Sequence, residues 1–269
     1  MAVTDPDPSV APPNAPAEEG RTLAREVRAV LENLASDDDL AERGEAWAAP
    51  PDPTEDHRWL PQLAVEELDF THPLALCARW AAAFQARHEL PLEPWALLVK
   101  ALATALSEVP EANVQICQGR ALRTGCFDVG VTMSGRQGLR TPVLRDALRR
   151  GVPDIAAELA RFAREVAQGE LPPASETGAV ITLHDRQDCG LLLSTAPLAP
   201  PQCLALVVHA VRPRPTAIPG PDGHVLVLRP LCPVALTWDP RAMSAATAAR
   251  FLGRTRELME HPERLLIEA

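Results

Sequence analysis

Between Pro94 and Pro110 the chain is apolar at nearly every position, the exceptions being Lys100, Thr104, Ser107 and Glu108. A helix that is apolar all round has no face to offer water, so it must lie between other layers of structure. Pro94 suits the first turn of such a helix, and Pro110 ends it. The run from Trp95 to Leu106 falls short of the roughly 18 residues a membrane span needs, and Lys100 interrupts it. This segment therefore asks for a layered fold closed over a central helix.

The flanking patterns supply the layers. Thr71 is placed to cap a helix with Pro73 in its first turn and Leu76, Trp80 and Phe84 on its buried stripe. A third helix begins near Pro153, carries Ile155, Leu159, Phe162 and Val166 at helical spacing, and ends at Gly169. A last one starts after Ser244 and stops before Pro262. Strand-like runs fill the gaps at 113–118, 126–133, 139–144, 179–184, 203–211, 224–228 and 232–238, with turns at Pro219-Gly220 and Asp222-Gly223. The expected class is α/β, a mixed sheet covered by helices, with strands too irregularly spaced for a doubly wound series. Residues 1–20, rich in Pro, Ala and Asp, read as a disordered lead-in. Residues 21–53 read as an amphipathic helix, with Leu23, Val27, Val30, Leu31 and Leu34 on one face, and a Pro-rich connector. The main domain is expected over 54–269.

Charge narrows the partners. With 26 basic and 36 acidic residues the formal charge is −10, which argues against nucleic acid or an anionic membrane. The start, Met1 to Ser9, has neither a basic nor an apolar region of a secretory signal, so a cytoplasmic location is expected. Six cysteines are spread with no CxxC pair or zinc-ligand spacing, so they are expected to be reduced and mostly buried, and no metal is expected.

Several segments then fall in one order: Glu67-Leu68-Asp69-Phe70-Thr71, Leu97 to Ala101, Pro110 to Asn113, Asp128 to Val131, Pro142 to Ala147, Pro200-Pro201-Gln202, and Leu236 to Asp239 followed by Ala248 to Leu252. Together they resemble the catalytic domain of the dihydrolipoyl acyltransferases of 2-oxo acid dehydrogenase complexes, a family similar to chloramphenicol acetyltransferase. The resemblance implies a chloramphenicol acetyltransferase-like fold and a homotrimer or larger oligomer. It also implies partners among 2-oxo acid dehydrogenase components, coenzyme A or acyl-CoA as ligand, and acyl transfer between coenzyme A and a dihydrolipoyl thiol. That family works with a histidine base in Asp-His-Arg-x-x-Asp-Gly and a Ser or Thr hydroxyl that stabilises the oxyanion across a subunit boundary.

Both motifs depart here. The first reads Asp239-Pro240-Arg241-Ala242-Met243-Ser244-Ala245, which puts Pro240 at the base and Ser244 at the second carboxylate. Counting back from Pro200-Pro201-Gln202 places His184 at the hydroxyl. One reading is a non-catalytic relative that scaffolds, regulates or binds a partner. Another makes His184 a relocated base, its ring oriented by Asp185 or Asp188; a third keeps only coenzyme A ester binding. The segment His184 to Asp188 also reads as a polar strand end. His72 reads as a surface residue at a helix start, His209 as a hydrogen-bonded core histidine, and Cys189 as a short buried thiol. Arg136, Arg140, Arg145, Arg149 and Arg150 form either a solvated face or a phosphate contact.

Overall fold

The structure, a computed structural model, describes residues 60–267 apart from 118, 137, 221 and 222. All of these belong to one unit, Pro50–Ala269. The lead-in, the amphipathic helix 21–35, the Pro-rich connector and the Asp222 half of a turn lie outside the described residues.

The chain begins with strand β1 (Gln62–Asp69) and helix α1 (Thr71–His88), followed by the central helix α2 (Pro94–Glu108). Every residue of α2 from Ala96 to Leu106 is buried, as its all-round apolar pattern requires. Lys100, 1% exposed, is satisfied inside: its Nζ donates to the carbonyls of Leu148 at 2.6 Å and Arg150 at 2.9 Å. The next strands are β2 (Val114–Cys117), β3 (Arg120–Arg123), β4 (Val129–Gly135), β5 (Gly138–Arg140) and β6 (Val143–Leu144). Helix α3 (Val152–Gln168) leads to β7 (Ile181–Asp185), β8 (Leu204–Val208), β9 (Arg212–Gly220) and β10 (Gly223–Trp238), and α4 (Ala245–Glu260) and α5 (Arg264–Ile267) close the chain.

The main sheet has 8 strands in the path β1-β10-β8-β7-β4-β5, with β6 beside β4 and β9 beside β10. Strands β4, β7 and β8 run parallel and the remaining pairings are antiparallel, so the sheet is mixed. Strands β2 and β3 form a separate two-stranded sheet. The principal core joins one sheet face to α2, α3 and α4 through Leu206, Leu236, Leu98, Ile155 and Phe251.

Several expectations are corrected. The runs 224–228 and 232–238 are one strand, β10. Pro230 does not break it because it faces Pro213 across the ladder, at a pair that exchanges no hydrogen bonds, and its outward carbonyl accepts from the Phe70 amide at 2.9 Å. Strand β9 hides behind Pro213, Pro215 and Pro219. Their even spacing puts all three nitrogens on the strand edge away from β10. The run 139–144 splits at Pro142, whose carbonyl accepts from Val131, into β5 and β6. Strands β1 and β3 carry no clean alternation and were not expected.

Helix α1 also departs from expectation. Thr71 is its first residue, and Asp69 acts as the local acceptor, taking a hydrogen bond from the Thr71 amide at 2.8 Å. Only Pro73 and Cys77 are buried there. Trp80 is 49% exposed beneath the Arg79 guanidinium, so it is not part of the core. Helix α3 fits its pattern, with Ile155, Phe162 and Val166 buried and Gly169 at φ 78° ending it. Ser244 caps α4 by accepting from the Thr247 amide at 3.2 Å. The six cysteines are free, but only Cys77, Cys203 and Cys232 are buried; Cys126 and Cys189 are exposed.

Replacing Lys100 with Met keeps the bulk of the side chain but strands two inward carbonyls. Lys100→Met is expected to destabilise the fold by about 3 kcal/mol, read as a lower urea midpoint at unchanged m-value.

Candidate functional site

Strand β7 sits between β4 and β8 in parallel register, with Thr132, His184 and Val207 level with one another. Alternation along the strand turns Ile181 and Leu183 into the helix-covered core and sends Thr182 and His184 to the opposite sheet face. On that face Thr182 Oγ1 donates to Gln202 Oε1 at 3.0 Å and accepts from Gln202 Nε2 at 2.8 Å, a buried pair. His184 is half-buried, its Nδ1 3.0 Å from Thr132 Oγ1, which lies 3.3 Å from Thr141 Oγ1.

Burial lowers the His184 pKa to about 4, and the Arg186 guanidinium adds to the effect. The imidazole is therefore neutral near pH 7. Among the described residues no carboxylate is hydrogen-bonded to it. Asp185 accepts from the amide and the Nε2 of Gln187, and Asp188 is exposed on the turn Gln187–Cys189 without a hydrogen bond to the ring. The expected pairing of His184 with Asp185 or Asp188 is thus replaced by a hydroxyl contact to Thr132. That partner could not be named from sequence, because nothing local reveals which strand lies beside β7.

The second motif is held rigidly at the end of β10. Asp239 is buried and its amide donates to the Cys203 carbonyl at 3.0 Å. Its carboxylate accepts from the Arg241 amide at 2.9 Å and from Nη2 at 2.7 Å, so the two residues clamp the turn around half-buried Pro240. The Ser244 hydroxyl serves as the α4 cap. The two motif positions stand apart. Ala235 is level with Val207 and hence with His184. Pro240 lies beyond the last residue of β10, Trp238, in the turn that follows.

Arg140, Arg145, Arg150 and His209 have structural partners. Arg140 forms a two-pronged pair with Glu176 at 2.9 and 2.7 Å, and Arg145 bonds Asp128 at 2.9 Å and the Thr177 carbonyl at 2.6 Å. Arg150 Nε donates to the Arg145 carbonyl. His209 is fully buried, with Nδ1 3.0 Å from the Pro233 carbonyl and Nε2 3.0 Å from Ser194 Oγ, as expected for a core histidine. His72 is exposed at the start of α1. Among the described residues no helix is long and apolar enough to cross a membrane.

A mixed sheet with parallel strands at its centre and helices over one face is the layered architecture of an acyltransferase-type domain. The chain belongs to the family described as 2-oxoacid dehydrogenases acyltransferase (catalytic domain), whose pattern matches residues 55–267. It is 33% identical over 202 residues to the dihydrolipoyllysine-residue succinyltransferase component of the 2-oxoglutarate dehydrogenase complex of Escherichia coli, covering 75% of this chain and 49% of that protein. The corresponding Rickettsia bellii protein is 32% identical over 201 residues, with 75% and 49% covered. The chain thus spans about half the length of the curated relatives it matches. Among solved structures it is similar to the dihydrolipoamide acetyltransferase of Azotobacter vinelandii, with TM-score 0.71, 24% identity, and 78% and 85% of the two chains covered. A probable dihydrolipoamide acetyltransferase from Listeria monocytogenes gives TM-score 0.69 at 22% identity, with 75% and 85% covered. The expected fold class holds.

The histidine makes a pH prediction. Its folded pKa of about 4 lies below the ordinary 6.5, so the unfolded chain takes up the proton first as pH falls. The stability this group contributes is complete above pH 6.5 and is lost on the way down to about pH 4. His184→Gln, which retains a partner for Thr132, should flatten that part of a plot of urea midpoint against pH.

Proposed function

We propose that this protein is a non-catalytic member of its family, an oligomeric scaffold or partner-binding protein that does not carry out acyl transfer between coenzyme A and a dihydrolipoyl thiol. The observation that carries this reading is Pro240. A thiol is only a few per cent ionised near neutral pH, so the reaction needs a positioned base, and proline has no group that can take a proton. The Asp239–Arg241 clamp ties the two neighbours of Pro240 to each other, so their charged side chains are engaged with one another. The mechanism of the Azotobacter vinelandii relative was investigated through a serine, a histidine and an asparagine, the last two four residues apart. Pro240 and Ser244 share that spacing, and Ser244 is committed to capping α4.

His184 does not make good the loss. A pKa near 4 makes it a weak base, and its Nδ1 is engaged by Thr132. Among the described residues no carboxylate is bonded to its ring to stabilise an imidazolium.

Assembly is part of the same proposal. Position 184 lies on β7 and position 240 in the turn after β10, and the resemblance implies a site built across a subunit boundary, so a shared site would need a second copy. A head-to-tail contact that unites two separate surfaces closes into a ring, of which a homotrimer is the form the resemblance implies. Components of 2-oxo acid dehydrogenase complexes are the proposed partners.

Two measurements test this. In a thiol-release assay with acetyl-coenzyme A and dihydrolipoamide, beside an active relative, the purified protein should stay at the background rate. Turnover near the control would sink the proposal, and its loss in His184→Ala would then make His184 the base. Sedimentation should give three chain masses at micromolar concentration; a monomer there would remove the assembly.

A further inference from the structure

The sheet face that turns away from His184 borders a half-open cavity of about 500 Å³, lined mainly by β4, β7, α2 and α3. Small-molecule sites span roughly 300–1,000 Å³. The floor is aliphatic, formed by Val99, Val131, Met133, Leu159 and Leu183. Its width comes from α3. Ala156, Ala160 and Ala163 recur at helical spacing along the wall, beside a stripe that elsewhere carries Ile155, Phe162 and Val166. Three methyl groups in that row leave open the space larger side chains would fill, and with it the dispersion contacts they would make.

The mouth has a different chemistry. Glu93, Asp185, Arg186 and Asp188 meet there, three carboxylates against one guanidinium. Asp185 is occupied by Gln187. The side chains of Glu93, Arg186 and Asp188 form no hydrogen bond or ion pair among the described residues. An apolar chamber behind a rim of excess negative charge selects against carboxylates and phosphates and favours a cation. We infer that this cavity is a binding site for an aliphatic or aromatic amine, held with its apolar body against the floor and its ammonium among Glu93, Asp185 and Asp188. The site lies on the face of β7 that carries Leu183, opposite His184, and shares Thr132 with the His184 contact. It stands whether or not the chain turns over an acyl thioester.

Titration calorimetry on the full chain near neutral pH, with octylamine and octanoate as probes, tests the inference. Octylamine should saturate at one per chain, with octanoate at least ~10-fold weaker, a difference of about 1.4 kcal/mol. Glu93→Gln combined with Asp188→Asn should bring the two probes within about threefold of each other. Ala160→Leu, which fills the chamber, should abolish octylamine binding while circular dichroism and Tm remain those of the parent. Ala163→Leu, nearer the mouth, gives the same readout should Ala160→Leu fail to fold. Octanoate binding as tightly as octylamine overturns the inference. So does undiminished octylamine binding in a folded cavity-filled variant, or no heat from either probe.

Discussion

Burial of α2 is the constraint from which the rest of the structure follows. A helix with apolar residues on every side is stable only where sheet and helices cover it completely, so α3, α4 and the inner sheet face are arranged around it. Its one cation is what fixes the arrangement. The ammonium of Lys100 cannot reach water and instead holds the carbonyls of Leu148 and Arg150, anchoring the segment that enters α3. An uncompensated charge there would be far more costly than the hydrogen bonds themselves are stabilising, so the position of that segment is dictated as much by what it must avoid as by what it gains.

Fixing that segment has consequences at the sheet. The turn after β6 carries Asp146 and Arg145, both tied to Asp128 at the start of β4. Strand β4 in turn sets the register of β7 through Val129 and Ile181, and so places His184 opposite Thr132. The histidine's environment is therefore a product of the packing rather than of its sequence neighbours. Its imidazole finds a hydroxyl and a half-buried, low-dielectric setting, which keeps it neutral and weakly basic.

This explains what was legible in the sequence and what was not. The helices were readable because their signals are local: Gly169 ends α3, Ser244 caps α4, and the pattern from Ala96 to Leu106 states its own burial. Prolines misled the reading of strands, because their effect depends on which edge of a strand they occupy. Pro213, Pro215 and Pro219 are compatible with β9 only because β10 lies on the other side. The same limit applied at the site. Asp188 lies four positions from His184 in the chain, yet the turn Gln187–Cys189 carries it away, whereas Thr132, 52 residues distant, is brought to 3.0 Å by parallel pairing.

The turn at Pro240 shows how the fold accommodates a proline between Asp239 and Arg241. The Asp239–Arg241 clamp needs the amide of Arg241 and the two charged side chains, and none of these belongs to residue 240. A proline there fixes its own φ and asks for no hydrogen bond, so it fits a turn held from both sides. Ser244 fits the N-cap of α4 for a similar local reason, since a short oxygen-bearing side chain satisfies the first free amides of the helix. Each residue is well suited to the fold, and neither supplies a base. Stability and chemistry make separable demands on the same seven positions, because the hydrogen bonds that hold this turn do not depend on the side chain at 240.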